Sequence, residues 1–234
     1  VVTVASLVNE KVDQVLIGSC TNSSYKDLMT AASMLKGKKI KDDVSFGVAP
    51  GSRQVFASLA RNGALAAIVE SGTRILESAC GFCIGMGQAP KTNSISLRTS
   101  NRNFEGRSGT KSAGVYLCSV ETAAASALTG HVTDPTTIGG PAPSFTMPDE
   151  FIIDDSMIFK PTFSGEVLRG PNIAKLPLKE KLDGVLRGEV IIKVGDNITT
   201  DHIMPAGAEI LPLRSNVPII IVYVFRFVDK DFVK

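Results

Sequence analysis

The sequence predicts an α/β domain on a parallel sheet, then a linker, then the beginning of a smaller mixed β/α unit. Two observations carry this expectation. Over the first 130 residues, short apolar runs alternate with segments of helical periodicity, the pattern of strands joined by helical crossovers. Near Asp134 the composition changes, and Pro135, Gly139, Gly140, Pro141, Pro143 and Pro148 mark an extended connector. The expected boundaries are residues 1–134 for the α/β domain, 135–165 for the linker and 166–234 for the last unit.

Taken in order, Val12–Ile17 reads as the first strand. Ser23 or Ser24 then caps a helix carrying Leu28, Ala31, Ala32 and Leu35, which Gly37 stops. Val44–Val48 is a second strand, and Pro50-Gly51-Ser52 opens a helix whose first amides point beyond the strand end. Ala66–Val69 and Ser94–Leu97 read as further strands, and Ser119 starts an Ala-rich helix that Gly130 ends. Past the connector, Glu166–Arg169 and Val190–Val194 read as strands and Gly195-Asp196-Asn197 as a turn. An apolar run, Pro218–Val224, follows; left as an unpaired edge, it would be prone to aggregate.

Composition narrows the classes. At 44% hydrophobic and 21% charged, the chain has the balance of a soluble globular protein. A formal charge of +2 with dispersed Lys and Arg argues against a nucleic-acid surface. No run reaches the roughly 18 apolar residues that span a bilayer, so no membrane partner is expected. Nor does the sequence open on a basic segment with an apolar signal core. Four cysteines including a CxxC suit a reducing compartment, cytoplasmic or mitochondrial matrix, and metal or redox chemistry.

Three of those cysteines stand in distinctive settings: Cys20 in GSCTN, and Cys80 and Cys83 in CGFCIG. Cys20 and Pro50–Ser52 follow the C-terminal ends of predicted strands, where open α/β sheets place their ligands. The CxxC opens the Gly-rich stretch Cys80–Gly87, where backbone can approach a bulky inorganic group. Spacing alone leaves a cluster with one open iron, a zinc site and a redox CxxC all open. Zinc lacks an obvious fourth ligand, since His131 and His202 occupy other contexts. Cys118, in the apolar run Val115–Cys118, reads as a small core residue.

Six segments together resemble the aconitase superfamily, the iron–sulfur hydro-lyases that include aconitase, homoaconitase and isopropylmalate dehydratase. They are Ile17–Ser24 (IGSCTNSS), Ala49–Ser52 (APGS), Cys80–Pro90 (CGFCIGMGQAP), Ser100–Arg107 (SNRNFEGR), Ala123–Gly130, and Gly195–Gly207 (GDNITTDHIMPAG), in family order. The resemblance implies a cluster-binding α/β domain, a linker and the start of a mobile swivel domain. The connector and the wording TDHIMPAG are more similar to a fused aconitase or homoaconitase chain than to isopropylmalate dehydratase.

The resemblance also implies roles. Cys20, Cys80 and Cys83 match the ligands of a 4Fe–4S cluster whose open iron takes the hydroxyl and carboxylate of a tricarboxylic acid. Arg102 and Arg107 match positions that bind substrate carboxylates, and Asn101 a residue beside the cluster. Asp201 and His202 match the catalytic hydrogen-bond network of the swivel unit, and Arg214 is the candidate for a later substrate-binding arginine. Helix capping accounts for Ser52, which is assigned no catalytic role.

The expected reaction is the interconversion of citrate and isocitrate through cis-aconitate, with homoaconitase or isopropylmalate dehydratase chemistry as the alternative. A regulatory RNA-binding role of the cluster-free form is a reading from a different class, which the missing basic stripe opposes. In the family, the base is a serine of a Gly-Ser-Ser-Arg segment, and the acid side depends on an Asp-His pair upstream of the first cluster cysteine. This sequence holds neither, so the expectation is a segment whose N-terminal and C-terminal partner domains lie elsewhere, and which shows no turnover alone.

Overall fold

The computed structural model describes residues 1–162, 164–207 and 209–233. It parts into two compact units, residues 1–160 and 161–234. Among the described residues no helix is long and apolar enough to cross a membrane.

The first unit is built on five parallel strands: β1 (Gln14–Gly18), β2 (Ser45–Ala49), β3 (Arg74–Ile75), β4 (Ile95–Arg98) and β5 (Gly114–Leu117). Their order is β3-β2-β1-β4-β5. The register sets Leu16 opposite Gly47 on one side and Arg98 on the other. β1 is buried along its whole length, so its run of apolar residues suits a central strand covered on both faces.

Four helices accompany the sheet: α1 (Tyr25–Leu35), α2 (Arg53–Arg61), α3 (Ala64–Glu70) and α4 (Val120–Thr129). Ser24 and Asp27 start α1 with a capping box, in which Ser24 Oγ accepts the Asp27 amide at 3.2 Å and Asp27 Oδ2 accepts the Ser24 amide at 3.0 Å. Ser52 Oγ caps α2 at the Val55 amide, and Ser119 Oγ caps α4 at the Thr122 amide. Gly130 closes α4 in the left-handed conformation, φ +81°.

Alternation along the strands divides the core. Val15, Ile17, Phe46, Val48 and Leu97 point to one face and pack with Leu28 and Leu35 of α1, Ile68 of α3, and Ala123, Ala124 and Ala127 of α4. On the other face, Leu16 and Ala49 pack with Phe82 and Leu76, and Gln14, Ser96 and Arg98 are buried polar groups of the same parity. The helical face stabilises the unit; the second face receives the CxxC turn.

Two local expectations need correction. Ala66–Val69 belongs to α3 and not to a strand. A four-residue apolar run fits either element, but here Ala64 and Ile68, one helical turn apart, are the buried pair, and alanine favours the helix. The short strand β5 replaces part of the apolar run assigned only to core. Cys118, which follows it, packs against the core as expected, and burial pushes its thiol up to about 12.

Linker residues pack on the first unit. Phe145 and Phe151 meet the Tyr25 ring edge-on at 6.5 Å and 5.7 Å between centroids. Asp134 caps a turn at Pro135–Thr137, accepting the Thr136 amide at 2.9 Å and its hydroxyl at 2.7 Å.

The second unit contains α5 (Thr200–Ile203), α6 (Val217–Ile220) and short turns at Leu211–Leu213 and Ile221–Tyr223. Its expected strands, Glu166–Arg169 and Val190–Val194, are not formed. Leu168 is 95% and Val190 87% exposed, and a strand without a neighbour gains neither ladder bonds nor burial. The apolar run after Pro218 turns into helical segments and presents no extended edge.

Candidate functional site

The cysteine loops gather where the connections of the sheet diverge. From β1 the order runs through β2 to β3 on one side and through β4 to β5 on the other, so the C-terminal ends of β1 and β4 flank a switch point. Chain leaving β1 carries Cys20; chain leaving β4 carries Thr99, Ser100 and Asn101. The two are tied together. Thr99 Oγ1 accepts the Gly18 amide at 2.9 Å, and Asn22 Nδ2 donates to the Thr99 carbonyl at 2.7 Å.

The Cys20 loop is bent into an uncommon shape. Ser19 and Asn22 adopt φ +81° and +51°, and a Cβ at Gly18 (φ +113°) would overlap the Ala49 carbonyl. Ser23 Oγ donates to the Ser19 carbonyl at 2.6 Å, and the Ser23 carbonyl accepts the Gly51 amide at 3.0 Å. Loops after β1, β2 and β4 thus brace one another around the cysteine.

Cys80 is the residue before a one-turn 3-10 helix, Gly81–Ile84, and Cys83 lies within it. Gly85 ends it with φ +82°, where an added Cβ would overlap the Ser108 carbonyl, so this turn abuts the end of the NRNFEGR segment. Ser108 Oγ donates to the Cys83 carbonyl at 3.3 Å. The sulfurs of Cys20 and Cys80 stand 3.9 Å apart, too far for a disulfide, and all four cysteines are free thiols. Ser19 Oγ donates to Cys80 Sγ at 3.4 Å. Arg107 is buried, its Nη2 lies 3.6 Å from Cys83 Sγ, and its guanidinium sits 5.5 Å from the Phe104 ring centre.

Hydrogen bonding separates the two neighbouring thiols. The Thr21 hydroxyl, helped by Cys80 and Ser19, pulls the Cys20 thiol below its ordinary range despite partial burial. The Ser19 hydroxyl pulls Cys80 the same way, but burial and the adjacent Cys20 and Cys83 sulfurs outweigh it and push Cys80 up.

The first unit therefore brings together Cys20, Cys80, Cys83 and Arg107. Asn101 is exposed and Arg102 half-buried on the same segment as Arg107. Ser100 Oγ is buried there with no hydrogen-bond partner among the described residues. In the second unit, α5 carries the buried Asp201 beside His202. His202 Nδ1 accepts the Thr199 amide at 2.9 Å and lies 3.0 Å from Thr199 Oγ1, so the ring caps its own helix. Arg214 is exposed in a separate turn after Leu211–Leu213.

One residue of the site was not anticipated. Arg98 is fully buried at the end of β4 and donates to the Phe82 carbonyl, inside the CxxC turn, at 2.6 Å. Its signal in the sequence is a lone Arg closing the strand run ISLR. A cavity of about 340 Å³ beside the turn is lined by Leu76, Gly81, Phe82, Met86 and Gln88 among others. A larger one, about 820 Å³, is lined by Met34, Lys38, Glu121 and linker residues from Pro135 to Ser144, and contains none of the site residues. Among the described residues, no three His, Cys, Asp or Glu side chains converge on a point suited to a single metal ion.

Comparison with known proteins bears on this arrangement. Residues 3–130 match the family described as Aconitase family (aconitate hydratase). Over 137 residues the chain is 44% identical to 3-isopropylmalate dehydratase large subunit 1 of Methanopyrus kandleri, covering 58% of this chain and 32% of that protein. Over 136 residues it is 40% identical to 3-isopropylmalate dehydratase large subunit 2 of Archaeoglobus fulgidus, covering 58% and 33%. It is also 44% identical over 135 residues to the homoaconitase large subunit of Thermus thermophilus, covering 56% and 32%. The chain spans about a third of the length of the curated relatives it matches.

Proposed function

The chain belongs to the aconitase family, and from that premise we propose that it is the cluster-holding part of a hydro-lyase of the isopropylmalate dehydratase or homoaconitase type. The names of its relatives favour this class, the alternative in the sequence reading, over the citrate–isocitrate reaction. They are large subunits, which also favours further domains or a second subunit as partners of the complete enzyme.

The observation that carries the reading is the placing of three thiols on two braced loops at the β1/β4 switch, with Arg107 on the third sulfur. The donor set fits a 4Fe–4S cluster. It is all sulfur, and among the described residues no group of three His, Cys, Asp or Glu side chains is placed to close a single-metal site. Ser19 and Thr21 supply hydroxyl groups to the sulfurs, the kind of support that tunes such a centre. When bound, the cluster supplies an open iron that acts as a Lewis acid on the substrate hydroxyl.

The residues of the chain would do the rest. Arg107 donates to Cys83 through Nη2, and its guanidinium and that of Arg102 on the same segment are the forks assigned to the substrate carboxylates. Asn101 follows the Thr99 brace and is the neighbour of the centre. Arg214 is the further carboxylate ligand of the second unit, and Asp201 and His202 form its proton-handling pair. Because Nδ1 of His202 accepts the Thr199 amide, the neutral ring carries its proton on Nε2, which is the nitrogen left to exchange it.

Anaerobic reconstitution of the 234-residue chain with ferrous iron and sulfide tests the reading. About four irons and four acid-labile sulfides per chain are expected, with substantial loss in Cys20→Ala, Cys80→Ala and Cys83→Ala. The electron paramagnetic resonance signal of the reduced cluster should shift with 3-isopropylmalate or homocitrate. A shift with citrate alone would return the substrate to the citrate class, and zinc without sulfide would sink the cluster.

A further inference from the structure

Arg98 holds a full positive charge where water does not reach. Its side chain is 0% exposed, and all its hydrogen-bond acceptors are neutral. Nε donates to Ser96 Oγ at 3.0 Å and Nη1 to the Phe82 carbonyl at 2.6 Å. Nη2 is shared between Gln14 Oε1 and the Gln88 carbonyl, both at 2.9 Å. Among the described residues no carboxylate pairs with it. A buried guanidinium held only by neutral groups is costly unless an anion lies close by. Burial lowers its pKa to about 10, so it stays charged at neutral pH, and the charge of the Cys83 sulfur opposes that shift.

The positions of the acceptors are informative. Phe82 and Gln88 bracket the loop Cys83–Gly87, and one planar fork reaches both carbonyls. Gln88 is held further by Gln14 Nε2 on its carbonyl, at 3.3 Å, and by Arg74 Nη2 on its Oε1, at 2.8 Å. The Phe82 ring packs with Leu16 and Ala49 beneath the turn. Sealed in this way, Arg98 does not touch substrate.

We propose that Arg98 is a positioning residue for the cysteine centre: its fork fixes both ends of the Cys83–Gly87 loop, and its charge balances an anionic metal–thiolate group bound there. This rests on the cluster reading above. Lysine would keep the charge but not span the two carbonyls; methionine would keep neither.

The test compares the wild-type chain with Arg98→Lys and Arg98→Met after anaerobic reconstitution. It reads iron and sulfide content, the reduction potential of the centre, the rate of iron loss to a chelator, and the melting temperature of the cluster-free proteins. Arg98→Met should lose iron about 10- to 100-fold faster than wild type and show a more negative potential. Arg98→Lys should keep the wild-type potential but lose iron faster. A wild-type chain that takes up no iron and sulfide overturns the cluster reading and this proposal together. A loaded wild type, with Arg98→Met unchanged in iron loss and potential, overturns the role of Arg98 alone. Lower melting temperatures in both variants with an unmoved potential overturn the charge balance and leave a structural arginine. Should Arg98→Met fail to fold, an Arg98→Lys protein that loses iron at the wild-type rate overturns the clamp.

Discussion

Gly85 turns the chain at φ +82° directly after the CxxC, and a Cβ there would overlap the Ser108 carbonyl. Gly87, two residues on, also has a positive φ, +64°, but an added Cβ would meet nothing within 4 Å. The pair separates conformational strain from steric exclusion. Gly85→Ala should destabilise the chain by about 1–3 kcal/mol in urea unfolding and reduce iron uptake, because backbone carrying Cys83 must move away from Ser108. Gly87→Ala carries only the conformational part, about 1 kcal/mol. Equal effects of the two would show that the contact with Ser108 does not set the turn. The Gly-rich stretch made a close backbone approach legible in the sequence, but what it approaches was not. Ser108 and Arg98 come to the turn through tertiary contacts from positions 25 and 15 residues away from Cys83, and local pattern carries no information about such pairs. The cysteines were legible because thiols in these settings have few other uses.

Asp13 does for the strands what Gly85 does for the turn. Its main chain and side chain both engage β4: the Asp13 amide donates to the Ile95 carbonyl, and Oδ2 accepts the Ile95 amide, each at 3.0 Å. The Asp13 carbonyl accepts the Ser45 amide at the start of β2, and Lys91 forms an ion pair with the carboxylate. Partial burial pushes this carboxyl up, but the Lys91 ammonium and the Ile95 amide outweigh it and hold the group below the ordinary range. A depressed folded value means stability that is full above the unfolded pKa of about 3.9 and is lost as pH falls through the folded value. Between pH 5 and pH 2, wild-type unfolding free energy should therefore fall about 1 kcal/mol further than that of Asp13→Asn. Parallel curves for the two proteins would remove Asp13 from the acid response. Caps announced the helices in advance: Ser24, Ser52, Ser119 and Gly130 stand where the sequence puts them. What misled was the run Ala66–Val69, too short for its period to be read, whose fate is decided by the core it meets.

The two units differ in how their backbone is satisfied, and exchange of amide hydrogens reads that difference directly. In the first, β1 is bonded on both sides by β2 and β4, and its residues are buried throughout. Opening those amides requires losing the central strand and the helical face together, so they should exchange only with unfolding of the unit as a whole. In the second, between residues 164 and 198, only the amides of Ile173 and Ala174 have backbone acceptors among the described residues, the carbonyls of Gly170 and Ser215. The apolar runs there are real, since Val167-Leu168 and Val190-Ile191-Ile192 stand between charged residues, but Val167, Leu168, Val190 and Ile191 are each more than two-thirds exposed. That is why two strands legible in the sequence are absent: a short apolar, β-branched run marks a segment able to join a sheet, and the sheet must be supplied by neighbours. Amides of β1 and β4 should therefore be protected on the order of a thousandfold or more relative to those of residues 164–198. Protection of Glu166–Arg169 and Val190–Val194 matching that of β1 would mean that the second unit forms its own sheet, and that the exposure of Leu168 and Val190 does not hold in solution.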